Sequence, residues 1–274
     1  MMKFRVQLAL ATLLAANHPP AIAAEAIVLA STTSVENSGL LANIVPQFTA
    51  TTGISVHVVA QGTGKALDTA RRGDADLLLV HDPDAETQFM KEGHGLTRRQ
   101  IAWNDFILVG PSDDPAHVRG GNDSVAALKA IATVQAPFVS RGDNSGTHTA
   151  ELRLWKMAGL DPGVENEKWY RDIGGGMGQA LNAASAMDAY TLTDRGTWLS
   201  FNNKGALVIA VENDPRLINR YDIIELNPKI HAGVKLGPAK VFADWLISPE
   251  GQQAIGAYRM NGERLFNPSA GMPE

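Results

Sequence analysis

Between residues 26 and 91 the chain alternates short apolar runs with stretches whose apolar positions recur at helical spacing. Residues 26–30 (AIVLA) read as a strand. Over 35–50, Leu40, Leu41, Ile44, Val45 and Phe48 fall on one side of a 3.6-residue period, which predicts a helix. Thr52-Gly53 ends it, and 54–60 alternates as a strand. A short helix is expected over 65–72, then a continuous apolar run at 75–80 (ADLLLV), the signature of a strand buried on both faces. Asp82-Pro83 has the form of an N-cap followed by proline at the first helical position, and that helix runs to Lys91 before Gly93.

This order predicts an α/β fold with a mostly parallel sheet and helices on both faces. Residues 106–110 form a further strand, after which a second lobe begins. Within it, 137–139 and 189–193 are expected strands, and 145–157 and 177–187 expected helices. Strands at 207–211 and 221–226 bring the chain back, and helices at 239–247 and 249–258 complete the first lobe. The expected division is thus a leader over 1–23, a first lobe from 24–107 and 216–274, and a second lobe over 108–215. Lobes joined by outgoing and returning connections leave a hinged cleft, where ligands favour binding.

The leader is read from Lys3 and Arg5, the uncharged apolar run at 6–16, and Ala21-Ile22-Ala23, the small-residue pattern of a signal-peptide cleavage site. The apolar run is too short to span a bilayer. Export to the periplasm follows, with a mature chain of about 250 residues, a length that suits two lobes. The chain has no cysteine, which excludes disulfides, thiolate metal sites, cysteine nucleophiles and a lipid-bearing cysteine. Its formal charge is −5, more negative by two once Lys3 and Arg5 leave with the leader. An acidic chain without basic runs disfavours nucleic acid and anionic lipid.

Three loops rich in hydroxyls or glycine share one position, following a strand and opening a helix: Ser31-Thr32-Thr33-Ser34, Gln61-Gly62-Thr63-Gly64, and Ser140 through Thr147 (SRGDNSGT). A helix start leaves unpaired N–H groups and the positive end of the macrodipole, and hydroxyls add donors beside them. Each loop alone is explained by capping. Three of them at the strand ends of one sheet point to a shared anion site. Arg141 lies between strand and helix, where its guanidinium can fork onto two ligand oxygens. Asp82 suits two roles, N-cap and holder of Arg141.

The runs STTSVENSGLL, GTGKAL, GDADLLLVHDP, NDFILVGPSDDPA, FVSRGDNSGTH and AYTLTDRGTW resemble the tungstate-binding proteins of ABC transporters, over nearly the whole mature chain. SRGDNSGTH is the specific element, and phosphate-binding proteins share its looser form; FADWLISPEGQQAIGAY is general to two-lobed binding proteins. The resemblance implies a type II periplasmic-binding-protein fold, hinge closure on tungstate or molybdate, and delivery to a membrane permease with a cytoplasmic ATPase. It implies ligand contacts from Thr32, Thr33 or Ser34, from Thr63, and from Arg141, Ser145, Gly146 and Thr147, with Thr193 added at the end of AYTLT. No cofactor, metal cation, nucleic acid or direct membrane insertion is expected. Tungstate and molybdate carry no proton near neutral pH, so their site needs donors alone, whereas monohydrogen phosphate also wants an acceptor. Asp82 or Asp143 facing the cleft would favour phosphate.

Other chemistries fit less well. GDNSG resembles the run around a serine-protease nucleophile and leaves an exported hydrolase or phosphatase using Ser145 as the rival class. His148 follows on the same helix, an awkward place for the base that mechanism needs. Gly62-Thr63-Gly64-Lys65 lacks the leading glycine and the magnesium-binding hydroxyl of a P-loop, with Val59 and Ala66 in those places. Gly174-Gly175-Gly176 reads as a tight or hinge-like loop, and the seven histidines, His81 and His94 among them, show no paired metal spacing and read as surface or supporting groups.

Overall fold

The computed structural model describes residues 25–163 and 168–271; the expected leader lies outside them. The first part of the chain runs β1 (Ala26–Thr32), α1 (Thr33–Asn37), α2 (Leu40–Thr52), β2 (Ser55–Gln61), α3 (Thr63–Arg71), β3 (Leu77–Val80), α4 (Pro83–Lys91) and the long β4 (Gly95–Pro111). The middle carries α5 (Ser124–Val134), β5 (Phe138–Ser140), α6 (Gly146–Met157), β6 (Tyr170–Asp172), α7 (Met177–Met187), β7 (Thr191–Asp194), α8 (Arg195–Ser200) and β8 (Leu207–Val211). The last part holds β9 (Ile218–Leu226), α9 (Leu236–Ile247), α10 (Pro249–Ala257) and the two-residue strands β10 (Arg259–Met260), β11 (Glu263–Arg264) and β12 (Asn267–Pro268).

Two sheets share β4. In the first, the order is β12-β4-β9-β3-β1-β2, with β1 parallel to β2 and β3, and β9 antiparallel to both β3 and β4. The β4–β9 ladder ends at Asp105 opposite Ile218, and from Phe106 onward β4 pairs instead with β7 and β8. A bridge between Phe138 and Tyr190 attaches β5 beside β7, and β6 lies parallel to β5. Apolar clusters cover both faces of each sheet. Phe48 meets Phe242 at 4.7 Å on one face of the first, and Phe138 meets Trp155 at 5.1 Å in the second.

The expected α/β layering with helices on both faces is present, but the sheet is mixed rather than mostly parallel. The cause is that β4 and β9 run antiparallel between the two halves. The first half of β4 and all of α5 have no counterpart among the sequence-based expectations. Arg98, Arg99 and Gln100 interrupt the apolar pattern of β4, yet the arginines are paired: Arg98 lies 2.6 Å from Asp222, and Arg99 lies 2.6 Å from Asp244 and 2.5 Å from Glu225.

Where the chain changes sheets, one guanidinium ties both crossings. Arg195, opening α8, bonds the Asp105 carboxylate at 2.8 and 2.6 Å and Glu212, just past β8, at 2.8 Å. A bidentate pair of this kind is among the stronger side-chain contacts. No helix among the described residues is long and apolar enough to cross a membrane.

Candidate anion-binding site

On the first sheet, β1 ends at Thr32, whose Oγ1 accepts the Val35 N–H at 3.3 Å and so caps α1. That turn sets the Ser34 hydroxyl 3.0 Å from Thr32 Oγ1 and 2.8 Å from Nε2 of His81. His81 follows the last residue of β3, and its Nδ1 lies 3.1 Å from Asn219 Oδ1 on β9. Burial of the ring pushes its pKa below the usual imidazole value, and the Arg141 charge adds to this against the opposing pull of Asn219, Asp194 and Asp82.

On the second sheet, β5 ends at Ser140 and Arg141 follows directly. Gly142 takes φ 62°, and a side chain there would run into the Asp172 carboxylate, so only glycine fits. Asp143 accepts from Arg141 Nη2 and, at 3.1 Å, from the Ser145 N–H. Burial works to raise the Asp143 pKa, but those bonds outweigh it and hold the carboxyl below its usual range. Ser145 caps α6 by accepting the His148 N–H at 3.3 Å, and Arg141 Nη1 lies 3.5 Å from Thr147 Oγ1. Arg141 is 8% exposed and its Nε has no partner. A buried guanidinium N–H without an acceptor is costly.

These two turns face each other across a cavity of about 190 Å³. Thr33 and Ser34 line it from α1 and Arg141 from the loop opposite. Thr197 and Ser200 contribute from α8, and Gly176, Met177 and Gly178 from the start of α7. The Met177 and Gly178 N–H groups belong to the first turn of an eleven-residue helix and have no partner within it. Across the same gap, α6 rests on His81: a Cβ on Gly146 would come within 2.6 Å of the ring's Cε1.

The structure therefore brings Thr33, Ser34 and Arg141 to one cavity, with Thr32 attached through Ser34 and Thr147 through Arg141. Ser145 and Gly146 form the helix start beside it. Thr63 opens α3 at the end of β2 and is not in the lining; Thr193 is fully buried on β7, its hydroxyl donating to the Asp194 carbonyl at 3.2 Å. Asp82 caps α4 and lies 3.8 Å from Arg153, so the carboxylate that holds Arg141 is Asp143, its neighbour two residues on. Of the two roles expected for His81, surface or supporting, the structure gives the supporting one: it is buried and bonded to Ser34 behind the lining. Its place just past a buried strand, at the sheet edge where ligands bind, was the available signal. Gly174 and Gly175 form the expected tight loop, with Gly174 at φ 59° and the Gly175 N–H on the Arg141 carbonyl at 2.9 Å, and Gly176 is the N-cap of α7.

The Ser145–His148 pair lacks a nucleophile–base bond. The His148 ring accepts the Asn144 N–H at 3.0 Å through Nδ1, and its own backbone N–H goes to Ser145. Among the described residues no group of three or more His, Cys, Asp or Glu is placed to hold a metal ion. The cavity offers hydroxyls, a guanidinium and backbone N–H groups, and the nearby Asp143 has both oxygens engaged.

Residues 18–250 match the family model described as PBP superfamily domain. The chain is 45% identical over 248 residues to the tungstate-binding protein TupA of Peptoclostridium acidaminophilum, covering 89% of this chain and 86% of that protein. Among solved structures, the tungstate-binding protein TupA from Desulfovibrio alaskensis G20 superposes with a TM-score of 0.82 at 44% identity, covering 90% of this chain and all of the other. The tungstate ABC transporter structure from Geobacter sulfurreducens gives 0.76 at 42% identity, covering 85% of this chain and 99% of the other.

Proposed function

The chain belongs to the PBP superfamily, the periplasmic binding proteins, and on that premise we propose that it captures tungstate reversibly between its two lobes as the solute-binding component of an ABC transporter. The observation that carries the reading is the buried Arg141 guanidinium, its Nε without a partner, lining a cavity beside the Thr33-Ser34 hydroxyls and the start of α7. A tetrahedral dianion supplies the acceptors these groups lack. Because Asp143 is turned to Arg141 and the Ser145 N–H and is not part of the cavity lining, the site favours an oxyanion without a proton over monohydrogen phosphate.

In this reading Arg141, Thr147 and the starts of α6 and α7 hold the anion from the second lobe, and the Thr32-Thr33-Ser34 turn closes on it from the first. The lobes rotate about the crossings at Asp105 and Glu212. The closed form docks on a membrane permease driven by a cytoplasmic ATPase, in the periplasm, after removal of the leader. No covalent step is involved.

The test is the melting temperature of the mature protein with tungstate, molybdate, sulfate and phosphate. A ligand at a hundred times its Kd stabilises by about 2.7 kcal/mol. Tungstate is expected to give the largest shift, and no shift with any of the four overturns the reading. Turnover of a chromogenic phosphate or ester that vanishes in Ser145→Ala would replace it with a hydrolase.

A further inference from the structure

The hydrogen bonds behind the Thr32-Thr33-Ser34 turn run in one direction, and that direction bears on how an anion is held. Asn219 gives both hydrogens of Nδ2 away, to Asn104 Oδ1 at 2.8 Å and to Tyr221 Oη at 2.8 Å. Tyr221 in turn donates to Asn104 Oδ1 at 3.2 Å. Asn219 therefore has only its oxygen to offer His81, which assigns the hydrogen between them to His81 Nδ1. A neutral imidazole protonated at Nδ1 has a bare Nε2, and its partner at 2.8 Å is the Ser34 hydroxyl. Ser34 has one hydrogen, so it points at His81, and Thr32 must then give its own to Ser34 Oγ. In this arrangement the Ser34 hydroxyl that lines the cavity presents lone pairs to it, which repel an anion.

We propose that oxyanion capture takes up one proton from solvent at His81 Nε2, which reverses the His81–Ser34 hydrogen bond and turns the Ser34 hydrogen toward the anion. His81 is thus a positioning residue that acts through Ser34. The proton adds to the bare nitrogen, the new Nε2–H donates to Ser34 Oγ, and no bond between heavy atoms changes. The imidazolium also places a positive charge beside the dianion. This rests on the proposed function and deepens it by coupling the same site to pH.

The surroundings of the ring fit such a switch. Tyr221 lies against it at 5.0 Å between centroids and Gly146 covers it from α6. The charged groups acting on it are Asp82 beside it in the chain, Asp194 capping α8, and Arg141. Before an anion enters, burial and Arg141 keep the ring neutral; a dianion next to Arg141 offsets that positive charge and adds to the pull of Asp82 and Asp194. His148, near Arg141 and Asp143, is the other histidine an anion would affect and serves as the control.

The experiment is calorimetric titration with sodium tungstate in buffers of different ionisation enthalpy, repeated from pH 6 to 8.5, on the wild type, His81→Gln and His148→Gln. Glutamine places an amide donor near the Nε2 position and cannot titrate. The wild type is expected to take up close to one proton per anion, with affinity falling by up to about tenfold per pH unit on the alkaline side. His81→Gln should bind with no proton uptake and a flat pH profile, and His148→Gln should keep both. Binding by the wild type without proton uptake overturns the proposal, as does uptake that survives in His81→Gln or disappears in His148→Gln. Should His81→Gln fail to fold, the nitrogen-15 shifts of His81 in the wild type decide. A bare Nε2 in the free protein that becomes protonated with tungstate supports the switch, and an unchanged ring refutes it. If no anion gives heat at any pH, the proposed function fails and this inference with it; binding without proton uptake removes this inference alone.

Discussion

The two lobes meet at one cavity with different chemistry. The first presents the short hydroxyl turn of α1, backed by a neutral His81 and an uncharged network of Asn219, Asn104 and Tyr221. The second presents the Arg141 guanidinium and the starts of two longer helices, α6 and α7. A charge acts over many ångströms, whereas a hydroxyl acts only at contact distance and in line. On the proposed function, an incoming anion would be drawn first to the second lobe and the first lobe would close the site, so that closure itself would contribute to discrimination.

The sharpest way to break this contrast is to remove the charge. Arg141→Gln should weaken tungstate binding by at least a hundredfold by calorimetry, since loss of one partner of a buried ionic contact costs about 3–5 kcal/mol. Its unliganded fold should persist, by circular dichroism, because Asp143 retains the Ser145 N–H. Near-native affinity would remove the second lobe from its leading role. On the other side, Ser34→Ala removes one contact-range donor. A hydrogen bond to a charged group is worth about 1.5–3 kcal/mol, so a loss of roughly ten- to a hundredfold is expected, smaller than for Arg141. Equal losses at both positions would erase the distinction.

Gly146→Ala tests the join between the lobes. The added methyl meets the His81 ring, which two hydrogen bonds hold in place, so the lobes must stand slightly apart. Overpacking of this size costs about 1 kcal/mol or a little more, giving a roughly fivefold to tenfold weaker Kd with little change in unliganded melting. An unchanged Kd would mean the ring yields freely.

The smallest expected effect leaves binding alone and separates the lobes by pH. In the first, burial raises the Glu86 carboxyl well above its usual range, with Asp222 adding to the shift and Arg98 opposing it. Oε2 of Glu86 lies 3.2 Å from Arg98 Nε, while Oδ1 of Asp222 is buried without a hydrogen-bond partner, and a proton on Glu86 would ease the approach of the two carboxyls. In the second, burial alone would raise Asp214, but Arg216 and Ser124 outweigh it and hold it far below. A raised carboxyl stabilises fully below its unfolded value and loses that contribution as pH climbs; a depressed one stabilises above it and loses that contribution as pH falls. Melting should therefore decline toward alkaline pH less steeply in Glu86→Gln, and toward acid less steeply in Asp214→Asn. Scanning calorimetry across pH 3 to 9 checks both, and identical slopes in variants and wild type would count against the assignment.

How far the sequence could be read follows from what marks each element. The start of β1, the apolar run of β3, the cap at Asp82 and the helices at 40–52 and 146–157 are written in apolar period and capping residues, which act locally; the expected single helix over 35–50 is parted into α1 and α2 by Gly39 at φ 74°. The front half of β4 is not, because Arg98 and Arg99 look like a solvated stretch until their partners on β9 and α9 are known. At the cavity, Arg141 and the Thr-Thr-Ser turn announce themselves by type and by position between strand and helix. His81 and Gly176 do not, since a lone histidine or a glycine run acquires meaning only when α6 and α7 are folded beside it.

The seventeen residues of β4 serve two sheets, with register shifts at Gly95/Thr97, Gln100/Ala102 and Leu108/Val109. Between those shifts side chains alternate, so inserting or deleting one residue turns the positions that follow to the opposite face. Near Asp105 that error would pass from one half of the protein into the other, misaligning Phe106, Leu108 and the carboxylates that grip Arg195 together. Length variation in descendants of this chain should accordingly fall in outlying turns, while the shared ribbon keeps its count and acts as the ruler from which both halves are laid out.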